Sequence, residues 1–459
     1  MENSNSSAKK MSPKVKTIII LACVIFLICC ILVCSFVVIL FNIILNEAEE
    51  FESPEFDYFY DLGGICITKV KDNTVTEIEI PSEIFGNSVV RIYDNAFSDC
   101  YYLESVTIPE GVLQIGERAF YNCKSLKTVS IPNSIEKIGK FAFDGCPNLK
   151  YYETENEKYL GNESNKFLVL TSYKDKSISS VEINPKTKII HDYVFSSCIL
   201  LSSVTFGDSL SQVGYCAFEN CSFLNEVAFT QGVLYVGEYS FRNCASLSSI
   251  TLGESALRIE EGAFYSCSSL TRVTIPQSVD IVYSNAFNNC TSLHTVIFKS
   301  GSTDICVGAF DNCPITIADI PALSAEFIPK TYLEKVTILP DSFSKYIDDD
   351  FSNCNNLKSV TIKEGITSIK DYAFLNCKNL SSVSLPTSLT SIGVSAFENC
   401  TSLYSITIFS SVTFVGRFAF SGCEKLHIYC YAEKEPQTWE KHWNYSSRPV
   451  EWDYELIIY

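Results

Sequence analysis

The residues with the clearest potential for chemistry are cysteines that follow phenylalanines by three positions. Phe-x-x-Cys recurs at steps of 23 residues, from Phe97/Cys100 to Phe420/Cys423, and accounts for 13 of the 21 cysteines. Cysteines can form disulfides, bind metals or act as nucleophiles. All thirteen share one register, an odd number cannot pair completely, and neighbours on parallel coils have poor geometry for a bridge. We therefore expect buried free thiols that pack as small hydrophobic groups.

No other arrangement of reactive side chains in the sequence points to catalysis or metal binding. The four histidines are scattered, and the chain has no Cys-x-x-Cys pair, nucleophile motif or glycine-rich phosphate loop. The formal net charge of −18 gives a surface that repels nucleic acid and anionic lipid headgroups. The sequence therefore predicts a protein that is not an enzyme, with no catalytic residues, metal, cofactor, small-molecule substrate or nucleic-acid partner.

The spacing of apolar residues shows how the chain would position the cysteines. After Phe97, apolar residues follow at offsets of 3, 6, 9, 11, 15 and 18, namely Cys100, Leu103, Val106, Ile108, Val112 and Ile115. The Val-x-Ile segment predicts a short strand with alternate side chains inward, and Gly116 permits the bend that follows. Such a period is typical of a solenoid whose coils stack at about 4.8 Å and bury their apolar faces on one another. An inward ladder of phenylalanines would form its spine.

Two intervals break the 23-residue step. Phe143 and Phe195 are 52 residues apart, across a polar segment in which Phe167 resembles the ladder phenylalanine of a degenerate coil. The interval after Phe310 is 41 residues, and Phe327 lies in a shortened unit. We expect a continuous array with two deformed coils, which are the places most suited to a change of curvature or to partner contact.

The two ends of the array differ from the repeats, as capping units that face water must. The segment from Phe56 to Ile80 predicts a hairpin followed by the first strand. The C-terminal segment contains all three tryptophans, Trp439, Trp443 and Trp452. We interpret them as an aromatic lid over the last coil rather than as a ligand-binding box.

A long apolar segment precedes the repeats. Residues 17–45 contain no charged residue, and they are preceded by lysines and followed by glutamates. A bilayer core needs about 20 apolar helical residues, and the positive-inside rule would leave the N-terminus in the cytoplasm. We predict a cytosolic tail at 1–16, a transmembrane signal anchor at 17–45 and an acidic stalk at 46–57, in a single-pass type II cell-membrane protein with an extracellular repeat domain. A long cleaved signal peptide is the alternative.

The repeat unit resembles the BspA-like class of leucine-rich repeat, which occurs in surface proteins of oral bacteria and in parasitic protists. The resemblance rests on segments such as IPNSIEKIGKFAFDGCPNLK and LPTSLTSIGVSAFENCTSLYSITI and covers residues 56–459. It implies an α/β leucine-rich-repeat solenoid, arc-shaped, with a parallel β-sheet on the concave face and turns or short 3-10 or helical segments on the convex face, here preceded by one transmembrane helix. The predicted domains are an N-terminal cap and first strand at 58–96, repeats at 97–423 with degenerate coils near 147–194 and 314–350, and a C-terminal cap at 424–459.

Hydroxyl residues at offset 10 mark the outward side of the predicted strands. They are Thr107, Ser130, Thr205, Thr251, Thr274, Thr361, Ser384 and Thr407. Strand propensity and solubility alone account for such residues, but a shallow, weakly charged recognition surface is the functional alternative. The sequence therefore predicts a surface protein that binds an extracellular protein or glycan, in adhesion or host interaction as the resemblance implies. The alternative is a structural or antigenic coat protein without a dedicated ligand.

Glycosylation sequons follow the apolar segment, and five of them are Asn162, Asn220, Asn289, Asn399 and Asn444. Asn220, Asn289 and Asn399 directly precede ladder cysteines, where the side chain is expected to hydrogen-bond the turn. Asn162, in the polar insertion, and Asn444, in the C-terminal cap, are the candidate glycan carriers.

Overall fold

Each repeat folds into one coil that carries two short strands joined by turns. The first strand contains the Val-x-Ile pattern, and the second comes shortly before the next ladder phenylalanine. The computed structural model describes Ser53 and residues 55–61, 63–229, 231–341 and 345–454. Asp57–Tyr459 form one unit, distinct from Met1–Phe56. Stacking of the coils produces two ladders of parallel strands, named here the long-strand ladder and the short-strand ladder.

The long-strand ladder consists of strands of three to five residues, most of which pair in parallel with the equivalent strand of the next coil. In chain order its strands are Glu77–Glu79, Ser105–Thr107, Thr128–Ser130, Ser180–Glu182, Ser203–Thr205, Glu226–Ala228, Ser249–Thr251, Arg272–Ile275, Thr295–Phe298, Ile317–Pro321, Lys335–Leu339, Ser359–Ile362, Ser382–Ser384, Ser405–Ile408, His427–Cys430 and Val450–Trp452.

The short-strand ladder consists mainly of two-residue strands and is divided into three sheets. Its strands are Asn87–Ile92, Gln114–Ile115 and Lys137–Ile138, then Val169–Tyr173, Ile189–Ile190, Gln212–Val213, Tyr235–Val236, Arg258–Ile259, Ile281–Val282 and Asp304–Ile305, then Tyr346–Ile347, Ser368–Ile369, Ser391–Ile392 and Phe414–Val415. The expected N-terminal hairpin is present as Phe56–Asp61 and Gly64–Val70, and Glu83–Ile84 pairs antiparallel with Asn87–Ile92. Two further strands, Tyr152–Glu153 and Glu157–Leu160, lead antiparallel into Val169–Tyr173.

The ladder phenylalanines form the spine of the solenoid, as the spacing predicts. Their rings stack nearly parallel from coil to coil: the centroids of Phe241 and Phe264 are 5.3 Å apart with an interplanar angle of 7°. Phe264 and Phe287 repeat this geometry at 5.2 Å and 9°. The spacing follows from the rise of about 4.8 Å between paired strands, which sets the distance between equivalent side chains. Away from the two breaks, both neighbours of each interior ladder ring are therefore other rings of the ladder.

The predicted α/β class is wrong, because the structure is a β-solenoid of about 17 turns with almost no helix. The helical segments among the described residues are two 3-10 turns of three residues each, Ala325–Phe327 and Asp349–Phe351. The turns around the ladder phenylalanines contain left-handed residues, such as Tyr372 at φ 63° and Asn376 at φ 61°. A left-handed residue interrupts a right-handed helix, so the chain crosses this side of the coil as turns.

The predicted transmembrane helix is corrected as well. No helix in the described part of the chain is long and apolar enough to cross a membrane. The segment proposed as the anchor, residues 17–45, lies outside the described residues, as do the tail at 1–16 and most of the stalk. The single-pass topology and the cell-membrane localisation therefore have no support in the structure.

At the first break the array is not continuous. The first sheet of short strands ends at Lys137–Ile138, and a new one begins at Val169–Tyr173. The coils therefore form a first arm, residues 64–149, and a second arm, residues 169–452, joined by the antiparallel strands between them. Phe167 is not the ladder ring expected there, because its ring contacts Tyr159 at 5.2 Å; Tyr173 instead packs against Phe195 at 5.1 Å.

At the second break only one ladder is interrupted. Ile317–Pro321 pairs directly with Lys335–Leu339, so the long-strand ladder runs through. The shortened coil between them has the 3-10 turn Ala325–Phe327 in place of a second strand. Its apolar residues are fully buried as predicted, namely Leu333, Val336 and Ile338. The coil at this position therefore has one strand where most other coils have two.

The C-terminal cap closes the phenylalanine ladder. The ring of Trp443 meets the last ladder ring, Phe420, edge-on at 6.2 Å, and Trp439 packs edge-on against Trp443 at 4.8 Å. Trp452 contacts both tryptophans. The prediction of an aromatic lid is confirmed, since these rings cover the apolar end of the spine that water would otherwise reach.

Candidate functional site

The predicted hydroxyl residues lie on the long-strand ladder and face outward. Thr107 pairs with Ser130, and Thr361 pairs with Ser384, at equivalent positions of adjacent strands. All eight are exposed or half-exposed. The structure does not gather them into one patch, because Thr107 and Ser130 belong to the first arm and the other six to the second. Each hydroxyl can donate and accept a hydrogen bond, so the second arm presents a row of weakly polar groups. Ala228, Ile297 and Asp319 interrupt the row at the same register position.

The ladder cysteines have a structural role in the described coils. Ten of them direct Sγ at the carbonyl oxygen of the ladder phenylalanine in the preceding coil, as Cys267 does to Phe241 at 3.2 Å. Burial raises the pKa of the Cys267 thiol to about 12, which leaves it protonated and a donor. The thiols of the described residues are free, and most are buried. Each of these ten thiols therefore links its coil to the preceding coil through a hydrogen bond.

Asparagines just before these cysteines form a second ladder that the sequence reasoning only partly anticipated. Asn399 donates its side-chain amide to Oδ1 of Asn376 at 2.9 Å, and Asn376 donates to Asn353 in the same way. Their φ angles of 61° to 62° are left-handed, which asparagine tolerates better than most residues. Asn220 and Asn289 take part in equivalent bonds, so these sequon side chains bind the neighbouring coil rather than their own turn.

The two asparagines proposed as glycan carriers also have engaged side chains. Asn162 donates its amide to the carbonyl oxygen of Ile131 at 2.7 Å, and Asn444 donates to that of Arg448 at 2.9 Å. A glycan at either residue would have to be accommodated at the amide nitrogen that makes this bond. Their glycosylation stays a prediction.

The junction of the two arms seals the last coil of the first arm. The side-chain amide of Gln212 accepts from the backbone N–H of Ile138 at 2.7 Å and donates to its C=O at 2.9 Å. Ser211 donates to the carbonyl oxygen of Glu136, and Asp192 accepts from the backbone N–H of Phe141 at 2.7 Å. Backbone groups at an open sheet edge need partners. Side chains of the second arm supply them here, in place of another coil.

Beyond this junction the two arms enclose a cleft of about 380 Å³. We name it the interarm cleft. Its charged side chains are four basic and four acidic residues, namely Arg91, Lys137, Lys140 and Arg258 with Asp94, Glu117, Glu238 and Glu260. Tyr93, Tyr215, Tyr235, Gln114 and Gln212 complete its polar and aromatic lining.

Ion pairs hold the walls of the interarm cleft together. Lys137 Nζ lies 2.9 Å from Glu260, and Lys140 Nζ lies 2.9 Å from Glu238. Burial alone would lower the pKa of Lys140, but the hydrogen bond and charge of Glu238 outweigh it and the pKa is raised. Lys137 also lies over the ring of Tyr235, at 4.8 Å from its centroid. These contacts join residues of the first arm to residues of the second.

The sequence reasoning missed this cleft, although a signal is present. Gln114, Lys137 and Gln212, at the first position of their two-residue strands, are large and polar where the arms face each other, whereas Ser368 and Ser391 occupy this position in two later coils. The large polar residues lie in coils of one arm that contact coils of the other arm. It does not tell which coil meets which, because the contacts join positions 74 to 123 residues apart.

Two of three comparisons with known proteins found matches. The family model for the BspA type leucine rich repeat region matches in 6 copies, over residues 68–167, 169–252, 217–336 and 327–427. No curated protein matches.

Several solved structures are similar to the chain. A leucine-rich repeat protein from Bacteroides ovatus is 23% identical, with 87% of this chain and 99% of that chain covered and a TM-score of 0.38. A leucine rich cell surface protein from Faecalibacterium prausnitzii is 25% identical, with 88% and 94% covered and a TM-score of 0.25. The pneumococcal vaccine antigen PcpA is 17% identical, with 70% and 77% covered and a TM-score of 0.27.

Proposed function

The chain belongs to the BspA-type leucine-rich repeat family, and from that premise we propose that it is a recognition protein that binds a partner protein on the outward face of its second-arm long-strand ladder. Leucine-rich repeat proteins generally mediate protein interactions. Adhesion at a cell surface or interaction with a host is the specific form of this role that we propose.

The row of outward hydroxyls is the observation that carries the proposal. Ten strands from Ser203–Thr205 to Ser405–Ile408 carry this face, and at about 4.8 Å per strand they extend roughly 40 Å. That length suits a protein partner, since a standard interface buries about 800 Å² on each side. The charged residues of these ten strands are Glu226, Arg272, Asp319 and Lys335, so most of the groups that a partner would desolvate are uncharged.

A second function remains as the alternative, in which the repeats form a structural or antigenic coat without a dedicated ligand. The same hydroxyls favour it, because threonine and serine at half-exposed strand positions are explained by strand propensity and solubility alone. The two functions differ in the affinity for a partner protein. A dedicated binding face shows an affinity that falls when the face is altered, whereas a coat protein shows no such affinity.

The test is binding of the purified full-length protein to intact host cells and to a panel of extracellular-matrix proteins. The double variant Thr361→Arg/Thr407→Arg alters the ladder face, and Ala245→Arg, in an exposed turn, is the matched control. We expect the double variant to lose at least about 10-fold in affinity, as for changes at the centre of an interface. Absence of binding by folded wild-type protein across the panel would favour the coat function.

A further inference from the structure

The interarm cleft is unlike the face proposed for partner proteins. It is concave, and its volume of about 380 Å³ falls within the ~300–1,000 Å³ typical of small-ligand sites. The ladder face is a long open sheet. The cleft therefore suits a compact ligand, and its occupant can differ from the partner of the ladder.

The charges of the cleft balance, and most are already paired. Lys137 and Lys140 pair with Glu260 and Glu238 across the cleft, and Arg91 pairs with Asp61 at 3.3 Å. A polyanion would bring its charges close to the four acidic residues, and a polycation would do the same to the four basic ones. A strongly charged ligand therefore gains little electrostatic binding free energy. An uncharged polar ligand, in contrast, meets both hydrogen-bond donors and hydrogen-bond acceptors.

The polar groups of the cleft are held in place before any ligand arrives. Oε1 of Gln114 accepts from Nε of Arg91 at 3.0 Å, and its amide nitrogen lies 3.4 Å from the hydroxyl of Tyr235. Asp94 accepts from the backbone N–H of Glu117 at 2.8 Å. Fixed planar groups of this kind lose little entropy on binding. A sugar hydroxyl both donates and accepts, so a row of hydroxyls can use these groups together.

Two exposed side chains of the lining are available to a ligand. Tyr93 is 41% exposed, and its ring is held edge-on to Phe59 at 5.5 Å. It offers an apolar ring face of the kind on which the C–H face of a pyranose packs. On the opposite arm Arg258 is exposed, and no ion pair within the described residues involves it. Its guanidinium therefore retains donors for a ligand.

From these features we propose that the interarm cleft binds a neutral oligosaccharide, with Tyr93 as the stacking platform and Arg91, Gln114 and Arg258 as hydroxyl-binding groups. The ligand lies between the arms and contacts both. This site is separate from the ladder face, and neither proposal depends on the other.

The experiment is isothermal titration of the full-length protein with neutral trisaccharides of glucose, galactose and N-acetylglucosamine, and with a sulfated oligosaccharide as the charged probe. We expect binding of at least one neutral trisaccharide, and a loss of about 10-fold or more in Tyr93→Ala and in Arg258→Ala. Arg258→Lys should restore part of the loss. The ladder variant Thr361→Arg/Thr407→Arg should bind the sugar as the wild type does.

Several outcomes would overturn the proposal. The first is the absence of binding heat with every neutral trisaccharide, for protein whose thermal unfolding is cooperative. The second is a trisaccharide affinity that is unchanged in both cleft variants. The third is binding of the sulfated probe alone, with strong salt dependence. Unfolding curves of Tyr93→Ala and Arg258→Ala control for misfolding, since both residues are exposed. Because the ladder variants are measured in the same series, failure of this proposal is distinguishable from failure of the proposed function.

Discussion

The side-chain amide of Gln212 pairs with both backbone groups of Ile138, at 2.7 and 2.9 Å, as a neighbouring strand would. Ile138 lies on the last strand of the first arm, and Gln212 lies 74 residues later on the second arm. One buried side chain therefore ends one stack of coils and attaches it to another. The interarm cleft exists because the first stack ends in this way.

Replacing Gln212 tests that attachment. Gln212→Leu leaves the N–H and C=O of Ile138 buried without partners, which costs about 1–3 kcal/mol for each unsatisfied group. We expect the free energy of unfolding, measured by urea titration with circular dichroism, to fall by about that amount or more. Asp304→Ala, at the equivalent but exposed position of a later coil in the second arm, is the control and should change stability by less than about 0.5 kcal/mol. Equal stability of the two variants would contradict the attachment.

The phenylalanine spine predicts a larger effect. Phe264 is fully buried between Phe241 and Phe287. Phe264→Ala removes both stacking contacts and leaves a cavity, so we expect a loss of about 3–5 kcal/mol. Phe223, which is 58% exposed, provides the matched control: Phe223→Ala should lower the free energy of unfolding by less than about 0.5 kcal/mol. Similar losses in the two variants would show that the ring ladder is not the spine.

The cysteine ladder predicts loss of stability at alkaline pH. Burial raises the pKa of Cys267 to about 12, whereas an unfolded cysteine titrates near about 8.5. The folded state therefore holds the proton more tightly, and this contribution is complete below about pH 8.5 and is lost as the pH rises toward 12.

Unfolding free energies of the wild type and of Cys267→Ala, measured from about pH 8 to about pH 10.5, give the test. The wild type should lose stability more steeply than Cys267→Ala, because the variant lacks one of the protons that the folded state retains. Cys306→Ala is the control, since Cys306 is only partly buried. Parallel curves for the wild type and Cys267→Ala would exclude this account of the thiols.

Substitution of an asparagine in the asparagine ladder is expected to lower stability in two ways, through lost hydrogen bonds and through strain in the left-handed backbone. Asn376 has a φ of 61° and both donates to and accepts from neighbouring asparagines. Asn376→Ala loses these bonds and puts a less tolerant residue in the left-handed region, at a cost of about 1–2 kcal/mol. Asn376→Gly loses the same bonds without the backbone strain. The midpoint temperature of thermal unfolding should therefore be highest for the wild type, lower for Asn376→Gly and lowest for Asn376→Ala. A midpoint for Asn376→Ala at or above that of Asn376→Gly would contradict this account.

The strict period made much of the coil predictable from the sequence. Phe264, Cys267 and Leu270 repeat at fixed offsets in coil after coil, and repetition of an apolar register determines which side chains point inward. The aromatic lid followed from the same reasoning, because the exposed end of the spine at Phe420 needs apolar cover. The left-handed turns that exclude helix were not foreseen, since asparagine and tyrosine at those positions do not by themselves specify a positive φ.

The candidate site could not be predicted from the period. Gln212 and Lys137 occupy the outward position of their strands, where a single coil predicts contact with solvent. Their partners depend on the path of the segment that joins the two arms, and that segment does not follow the 23-residue repeat. The hydroxyl positions were predicted in the correct register, and whether they bind a partner stays a prediction.

The arrangement of the arms is the central claim, and zero-length carbodiimide cross-linking followed by mass spectrometry tests it most directly. Lys140 and Glu238 lie 2.9 Å apart across the arms, as do Lys137 and Glu260. Lys127 and Glu104, 2.6 Å apart within the first arm, provide the internal control. The structure predicts cross-linked peptides for all three pairs. Recovery of the Lys127–Glu104 link without either link between the arms would contradict it.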